Sequence, residues 1–195
     1  LDSATLRENV VALARNIGYV PRSRRSARAR ISFVVDGLVD TSTLTLNSGI
    51  VCNGVGENTS FIFSIPEDIT IPVNNGVAEF SNIEIYEGSF ITQTFTVDTS
   101  LFNQRYILDN SFIDTSTIKV KVKSSSSATS SVTHKQIDNI VGVTSTSNSY
   151  LLQEIEDERY ELIFGDNVIG RKLANDNYIP VSYTHLRAHE TTSHL

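Results

Sequence analysis

The stretch ITIPVNNGVAEFSNIEI, residues 69–85, decides the fold class. Apolar residues recur at every second position on both sides of Asn74-Asn75-Gly76, which is the period of a strand that buries one face. Asparagine and glycine tolerate the positive φ angles that a tight two-residue turn requires. The stretch therefore predicts two strands joined by a hairpin turn.

Further short strands are predicted on both sides of this stretch. Val, Ile, Leu and Phe dominate the apolar residues, and polar turns separate the apolar runs, as is typical of a β-rich protein. The runs lie at residues 31–35, 44–46, 50–52, 61–65, 91–97, 118–122, 140–143, 150–155 and 160–164. We predict a mainly β chain.

The strand pattern is interrupted by a serine-rich run, residues 123–131, which has almost nothing to bury. We therefore predict a β-sandwich-like domain over residues 31–123, a Ser-rich linker or loop at 124–135, and a second, smaller β unit at 136–180. Because that unit reaches the end of the native-looking sequence, we expect it to be incomplete.

The first 30 residues differ from the rest in pattern. Apolar residues recur at helical spacing from Leu6 to Ile17, and Thr5 and Glu8 are placed as a capping box, so a short N-terminal helix is predicted. An Arg-rich connector follows. Its arginines are Arg22, Arg24, Arg25, Arg28 and Arg30. The chain contains no methionine, so we expect further residues upstream.

The arginine cluster has three interpretations. Planar guanidinium groups pair well with carboxylates, so the cluster suits a contact with another protein subunit. It could equally be a solvated face. Nucleic acid is the third interpretation, but no aromatic residues are interleaved with the arginines to stack on bases, and the net charge of −6 is unfavourable. The pattern favours protein contact.

Composition argues against several function classes. The sequence contains no run of about 18 apolar residues, so we expect no membrane partner. The single cysteine, Cys52, follows an apolar run and enters a turn, where a small buried thiol is expected rather than a nucleophile. A lone cysteine also fits maturation in a reducing cytoplasm.

The histidines offer the only metal-like constellation. His185, His189, Glu190 and His194 could be drawn as a zinc site. However, residues 181–191, VSYTHLRAHET, resemble the read-through translation of a transposase-type sequencing-library adapter. We therefore expect residues 181–195 to be adapter-derived, and no metal, cofactor or small-molecule substrate is predicted.

Three remaining polar groups have structural interpretations. His134 lies in the serine-rich region and is expected to be solvated. The acidic residues 154–158 are expected to form a solvated turn rather than a glycosidase pair. The stretch GDNVIGRK, residues 165–172, lacks the ending of a phosphate-binding loop, so a tight turn with positive φ at Asp166-Asn167 and a close backbone approach at Gly170 is expected.

Three stretches carry a resemblance to a known family. They are LDSATLRENV at residues 1–10 with ARNIGYVPRS at 14–23, the region from YEG at 86–88 through QRY at 104–106 to DTSTI at 114–118, and YELIFGDNVIGRK at 160–172. Over residues 1–179 the chain resembles the baseplate wedge subunits of T-even-type contractile phages, which belong with the baseplate J-like proteins.

The resemblance implies a virion structural protein and not an enzyme. Copies of such a subunit would join wedges into a ring around the tail hub, in contact with one another and with other wedge proteins. They would be assembled in the host cytoplasm and located in the tail baseplate. An alternative is a β-sandwich module that binds host-surface carbohydrate, because the strands are rich in Ser, Thr and Asn and tyrosines such as Tyr150 are expected to be exposed.

Overall fold

Thirteen strands and one short 3₁₀ turn make up the regular structure of residues 23–56 and 59–185, the part of the chain that the computed structural model describes. The mainly β prediction is confirmed. The predicted N-terminal helix lies outside these residues. The strands are β1 (Arg28–Val35), β2 (Thr43–Leu46), β3 (Gly49–Gly56), β4 (Thr59–Ile65), β5 (Ile69–Pro72), β6 (Ala78–Glu87), β7 (Ser89–Thr96), β8 (Tyr106–Leu108), β9 (Ile113–Val122), β10 (Val132–Gln136), β11 (Ser149–Glu154), β12 (Tyr160–Phe164) and β13 (Tyr178–His185).

The first six strands form a four-stranded antiparallel sheet, in the order β1-β6-β4-β3, and a two-stranded ribbon of β2 and β5. Apolar side chains of the ribbon pack against the inner face of the sheet. At the centre, the rings of Phe33 and Phe80 stack with centroids 4.8 Å apart. Burial of one face of each layer accounts for the period-2 pattern of the sequence.

The Asn74-Asn75-Gly76 turn forms as predicted, with φ of 53° at Asn75 and 76° at Gly76. Two backbone hydrogen bonds join Asn74 and Val77, at 2.9 and 3.0 Å. The strands on either side do not continue as a hairpin, because β5 pairs with β2 whereas β6 pairs with β1 and β4. The turn is therefore a corner between two layers.

The remaining strands form a seven-stranded sheet in the order β7-β13-β9-β10-β11-β12-β8. All neighbours are antiparallel except β10 and β11. The sheet encloses an apolar core that includes Leu108, Ile113, Val120, Leu162 and Ile179. It curls until its end strands, β7 and β8, face each other, which gives a barrel-like shape.

Two glutamines bridge the seam between β7 and β8. The Gln93 side chain donates to the Ile107 carbonyl at 2.8 Å and accepts from the Asp109 N–H at 3.3 Å. The Gln104 side chain donates to the Thr96 carbonyl at 2.7 Å and accepts from the Asp98 N–H at 2.9 Å. An amide presents a donor and an acceptor together, so each side chain replaces a missing ladder contact.

The strands group differently from the ranges predicted for the domains. Val132–Gln136, which overlaps the predicted linker, is strand β10 and pairs with both β9 and β11. The chain passes from one sheet to the other at Gly88, so β7, β8 and β9 lie in the second sheet. The serine-rich run itself forms an exposed turn, and the chain crosses between the two sheets at a single glycine.

Gly88 is constrained by close packing at this crossing. Its φ is 99°, and a Cβ atom there would collide with the carbonyl oxygen of His185. The Ser64 hydroxyl donates a hydrogen bond to the Gly88 carbonyl. A residue with a side chain would have to move β13, so glycine is required at the junction.

Strand β13 lies between β7 and β9 and includes residues 181–185. Val181, Tyr183 and Thr184 are buried there. Backbone pairing depends little on side-chain identity, so this position does not decide whether the segment is native. Its adapter origin stays a prediction, and residues 186–195 lie outside the described part of the chain.

Replacing Gln93 by leucine is expected to weaken the barrel seam. The substitution removes the hydrogen bonds to Ile107 and Asp109, so the free energy of unfolding should fall by about 1–3 kcal/mol. Urea denaturation measures the change. Gln153→Leu on the exposed face of β11 is the matched control. Equal stability of the two variants would show that the Gln93 bridge contributes nothing.

Candidate protein-protein interface

The arginine segment is defined as residues 22–30, and its described part, residues 23–30, runs from a coil into β1 and lies against the start of β9. Its anchor is Asp114, whose side chain is fully buried. One carboxylate oxygen accepts from the Ser26 N–H at 2.8 Å. The other accepts from the N–H and the hydroxyl of Ser116, at 2.9 and 2.6 Å. Three donors thus compensate for the burial of this carboxylate.

A second contact fixes the start of the described segment. The Ser23 hydroxyl accepts from the Thr115 N–H at 2.9 Å and lies 2.7 Å from the Thr115 hydroxyl. Thr117 continues the polar network inward, because its hydroxyl donates to the Asp114 carbonyl at 2.8 Å and accepts from the Thr184 N–H at 2.9 Å. The arginine segment is therefore held at both Ser23 and Ser26 on a buried polar network.

Two arginines of the segment lie over aromatic rings. The Arg24 guanidinium is 4.5 Å from the centroid of Phe112, and that of Arg28 is 5.1 Å from the centroid of Tyr86. Arg28 also donates to the Ser116 hydroxyl at 2.8 Å. A cation over a ring keeps its charge while its position becomes restricted.

The arginines of the segment form no ion pair within the part of the chain that the structure describes, although Arg30 lies opposite Glu84 of β6 in the strand register. Arg24, Arg25, Arg28 and Arg30 are exposed, and among the described residues none of them forms an ion pair with a carboxylate. Arg22 lies outside those residues. The guanidinium groups of these four described arginines are thus available to an acidic partner.

Other cations of the chain do have internal partners. Arg105 forms a bidentate pair with Glu161, at 2.8 and 2.6 Å, and its hydrogen bonds hold the pKa of Glu161 below its usual value. Lys121 and Lys119 lie 3.2 and 3.5 Å from Glu67, and the hydrogen bond from Lys121 is the main reason that the pKa of Glu67 is lowered. Unlike these cations, the described arginines of the segment have no ion pair with a described carboxylate.

The turn at residues 165–172 has the predicted structural role. Asn167 and Gly170 have φ of 75° and 82°, whereas Asp166 does not have a positive φ. The Asp166 carboxylate accepts from the N–H groups of Val168 and Ile169, both at 2.9 Å, and these bonds lower the pKa of Asp166. A Cβ on Gly165 would collide with Gly170, which confirms the close backbone approach expected at Gly170.

The other polar candidates also have structural surroundings. Cys52 is half-buried in β3. The acidic turn is closed by a 2.8 Å hydrogen bond from the Ile155 N–H to the Arg159 carbonyl, and Arg159 lies 3.4 Å from both Asp109 and Asp157. Of the four histidine and glutamate residues drawn as a zinc site, only His185 lies in the described ranges, where it contacts Asn110 at 2.8 Å.

Three expectations about exposed side chains are wrong. Glu154, expected in the solvated acidic turn, is only 8 % exposed at the end of β11. Tyr150 is only 2 % exposed, because it faces the barrel core beside Phe164. His134 is 5 % exposed, because it faces inward from β10, and its ring packs edge-on against Phe164 at 5.8 Å. Tyr150 and His134 lie on strands whose inward face is set by distant pairing, which the local sequence does not reveal.

An open cavity of about 320 Å³ lies at the end of the barrel distant from the arginine segment. It is lined by Leu101, Tyr106, Phe164 and Lys172, among other residues. Leu101 is followed in the chain by Phe102, which is 93 % exposed.

Within residues 23–56 and 59–185, no cluster of metal-ligating side chains occurs, and no helix has the length and hydrophobicity to cross a bilayer.

Comparison with protein-family models and with curated proteins finds no match for this chain. The resemblance to baseplate wedge subunits therefore rests on the quoted sequence stretches and stays a prediction.

Removal of the anchor should release the arginine segment. Asp114→Ala leaves the Ser26 and Ser116 N–H groups without their acceptor, so the free energy of unfolding should fall by about 3 kcal/mol. Trypsin should then cleave after Arg24 or Arg25 faster than in the unmodified chain. Asp138→Ala, at an exposed aspartate, is the control. Unchanged cleavage in native conditions would refute the anchoring role.

His134 should make stability depend on pH. Burial lowers the pKa of His134 from its ordinary value of 6.5, so the unfolded chain binds the proton more readily than the folded chain. The stabilisation is therefore complete above pH 6.5 and decreases as the pH falls below it. Urea denaturation between pH 7.5 and about pH 5 should show this decrease, and His134→Leu should reduce it. An identical pH profile in the variant would contradict the assignment.

Proposed function

We propose that this chain is a structural subunit of a phage tail baseplate wedge, which joins wedges into a ring around the tail hub through protein-protein contacts. The observation that carries the proposal is the arginine segment. It is fixed by a buried carboxylate, yet its exposed guanidinium groups have no carboxylate partner among the described residues. A positioned and unneutralised basic surface suits an acidic surface on another subunit.

The architecture is compatible with a rigid structural subunit. The ribbon of β2 and β5 packs on the four-stranded sheet in a sandwich-like manner, and the second sheet has a bridged seam. Rigid surfaces favour assembly because little conformational entropy is lost when they bind. The proposed partners are copies of this chain and other wedge proteins, and not nucleic acid, membrane or a small molecule. In this proposal the protein resides in the virion, is assembled in the host cytoplasm and has no catalytic role.

Carbohydrate binding is the second candidate. Tyr150, which motivated it, is buried and is not available to a sugar. The exposed Phe102, which follows the cavity-lining Leu101 in the chain, is the observation that still favours it. Because residues 31–123 would cut through the seven-stranded sheet, the glycan array should be probed with the whole chain. Glycan binding that Phe102→Ala abolishes would favour this function over assembly.

Charge reversal on the arginine segment should weaken binding to other wedge proteins. The complete subunit would be immobilised and tested against the other wedge proteins of the same phage. Arg24→Glu with Arg25→Glu should reduce affinity about tenfold or more, because attraction to an acidic surface becomes repulsion. Biolayer interferometry at low and moderate salt measures the change.

A matched control carries the same change in net charge elsewhere. Lys123→Glu with Lys135→Glu alters one cation just after β9 and one on β10, both outside the arginine segment, and should leave the affinity nearly unchanged. An equal loss of affinity in both double variants would indicate a general effect of net charge and would contradict a specific role of the arginine segment. No binding by the unmodified subunit to any wedge protein would contradict the proposed function.

A further inference from the structure

Strand β1 has an open edge in the part of the chain that the structure describes. It is the first strand of the four-stranded sheet, and its described partner is β6. The Glu87 N–H donates to the Ala27 carbonyl at 2.8 Å, so odd-numbered residues direct their backbone groups toward β6. Even-numbered residues, from Arg28 to Val34, therefore direct theirs toward the open edge.

The edge itself is regular. The pairing of β1 with β6 is irregular between Ile31 and Phe33, where two steps along β1 match three steps along β6. The extra residue therefore belongs to β6. Asn82, with φ of 57°, lies in this bulge, and its N–H donates to the Ser32 hydroxyl at 2.9 Å. β1 thus offers an unbroken row of backbone donors and acceptors, which is a template for another strand.

Side chains along β1 change in character from one end to the other. The outward face begins with Arg28 and Arg30, passes through Ser32 to Val34, which is 59 % exposed, and ends with Asp36 just past the strand. Arg28 is engaged with Ser116 and Tyr86, whereas Arg30 has no ion pair among the described residues. One strand therefore carries a positive and a negative end.

We infer that a second copy of this chain pairs with the open edge of β1 in antiparallel orientation, about a two-fold axis at Phe33. In this register Arg30 lies opposite the partner's Asp36, twice by symmetry. Ser32 lies opposite the partner's Val34, and their backbone groups exchange hydrogen bonds. The two four-stranded sheets become one sheet of eight strands.

The inner face supports the same register. Ile31, Phe33 and Val35 are half-buried because they lie at the sheet edge. In the pair, Phe33 lies opposite the partner's Phe33, and Ile31 lies opposite the partner's Val35. Aromatic and β-branched cross-strand pairs are favourable in antiparallel sheets. A register centred on Arg30 would instead place arginine opposite arginine.

Charged residues on an edge strand usually prevent pairing with other strands. Here the two signs are segregated along the strand, so β1 repels a second copy in the parallel orientation and attracts it in the antiparallel one. This self-complementarity identifies the occupant as a copy of this chain rather than an unrelated strand. The inference specifies how copies of this chain would associate. It rests on the part of the proposed function that pairs the chain with its own copies, and not on binding to other wedge proteins.

Proline at position 34 tests the backbone pairing. The Val34 N–H points toward the open edge, so Val34→Pro should leave the pairing with β6 intact and block the second copy. Sedimentation velocity of the 195-residue chain over a wide concentration range should give a dimer, and the variant should give a monomer with an unchanged far-ultraviolet spectrum. Val34→Thr is the control that keeps the dimer.

A charge swap tests the register without relying on proline. Arg30→Asp and Asp36→Arg should each weaken the dimer about tenfold, because each creates two like-charge pairs. The double variant should restore it. A monomeric unmodified chain, a dimer that resists Val34→Pro, or a double variant that stays weak would overturn the inference.

These outcomes are separable from failure of the proposed function. The wedge-binding experiment changes Arg24 and Arg25, which lie before β1, whereas the dimer experiment changes residues 30, 34 and 36. An unmodified chain that is monomeric, together with a complete subunit that binds wedge proteins, would reject the β1 contact alone. A dimer that binds no wedge protein would reject the proposed function alone.

Discussion

The buried carboxylate of Asp114 is the interaction on which the described surface depends. It connects the coil before β1 to the start of β9, and thereby joins the first sheet to the second through side-chain and backbone hydrogen bonds. The covalent crossing at Gly88 lies nearby in the fold, with Ser64 and His185 packed against it. The two sheets are thus connected at two points, and the orientation of β1 follows from both.

This anchoring argues against a merely solvated role for the arginine segment. A solvated coil needs no buried acceptor, and ordering it costs backbone and side-chain entropy. The segment is nevertheless ordered by Asp114 and Ser23, and two of its arginines are restricted by aromatic rings. By contrast, Arg105 has its own carboxylate in Glu161. Order without neutralisation is what a preformed binding surface requires.

Local patterns predicted the turns and the position of the cluster, but not the anchor. The φ values at Asn75 and Gly76, and at Asn167 and Gly170, follow from residue types whose backbone preferences act within a few positions. Asp114 looked like one polar residue among many, because its partner Ser26 lies 88 positions away.

Interior positions were missed for the same reason. His134 lies beside a serine-rich run, so its neighbours suggested solvent, yet pairing of β10 with β9 places it opposite the buried Val120, on the core side. Tyr150 on β11 is buried by contacts from β12. The exchange of sheets at Gly88 carries no compositional change, so no local signal could place it. Long-range pairing, rather than propensity, decided each of these outcomes.

The symmetry of the two proposed contacts bears on how an assembly could grow. An isologous contact along β1 is complete when two copies have met, because both copies use the same edge. A ring needs at least one further contact of a different kind at each protomer. Arg24 and Arg25 lie outside the paired span of β1 and have no ion pair among the described residues, so they remain available for that contact when the edges are joined. In the proposed assembly, a closed edge and an open basic surface on one chain would therefore satisfy the two geometric requirements of a ring built from pairs.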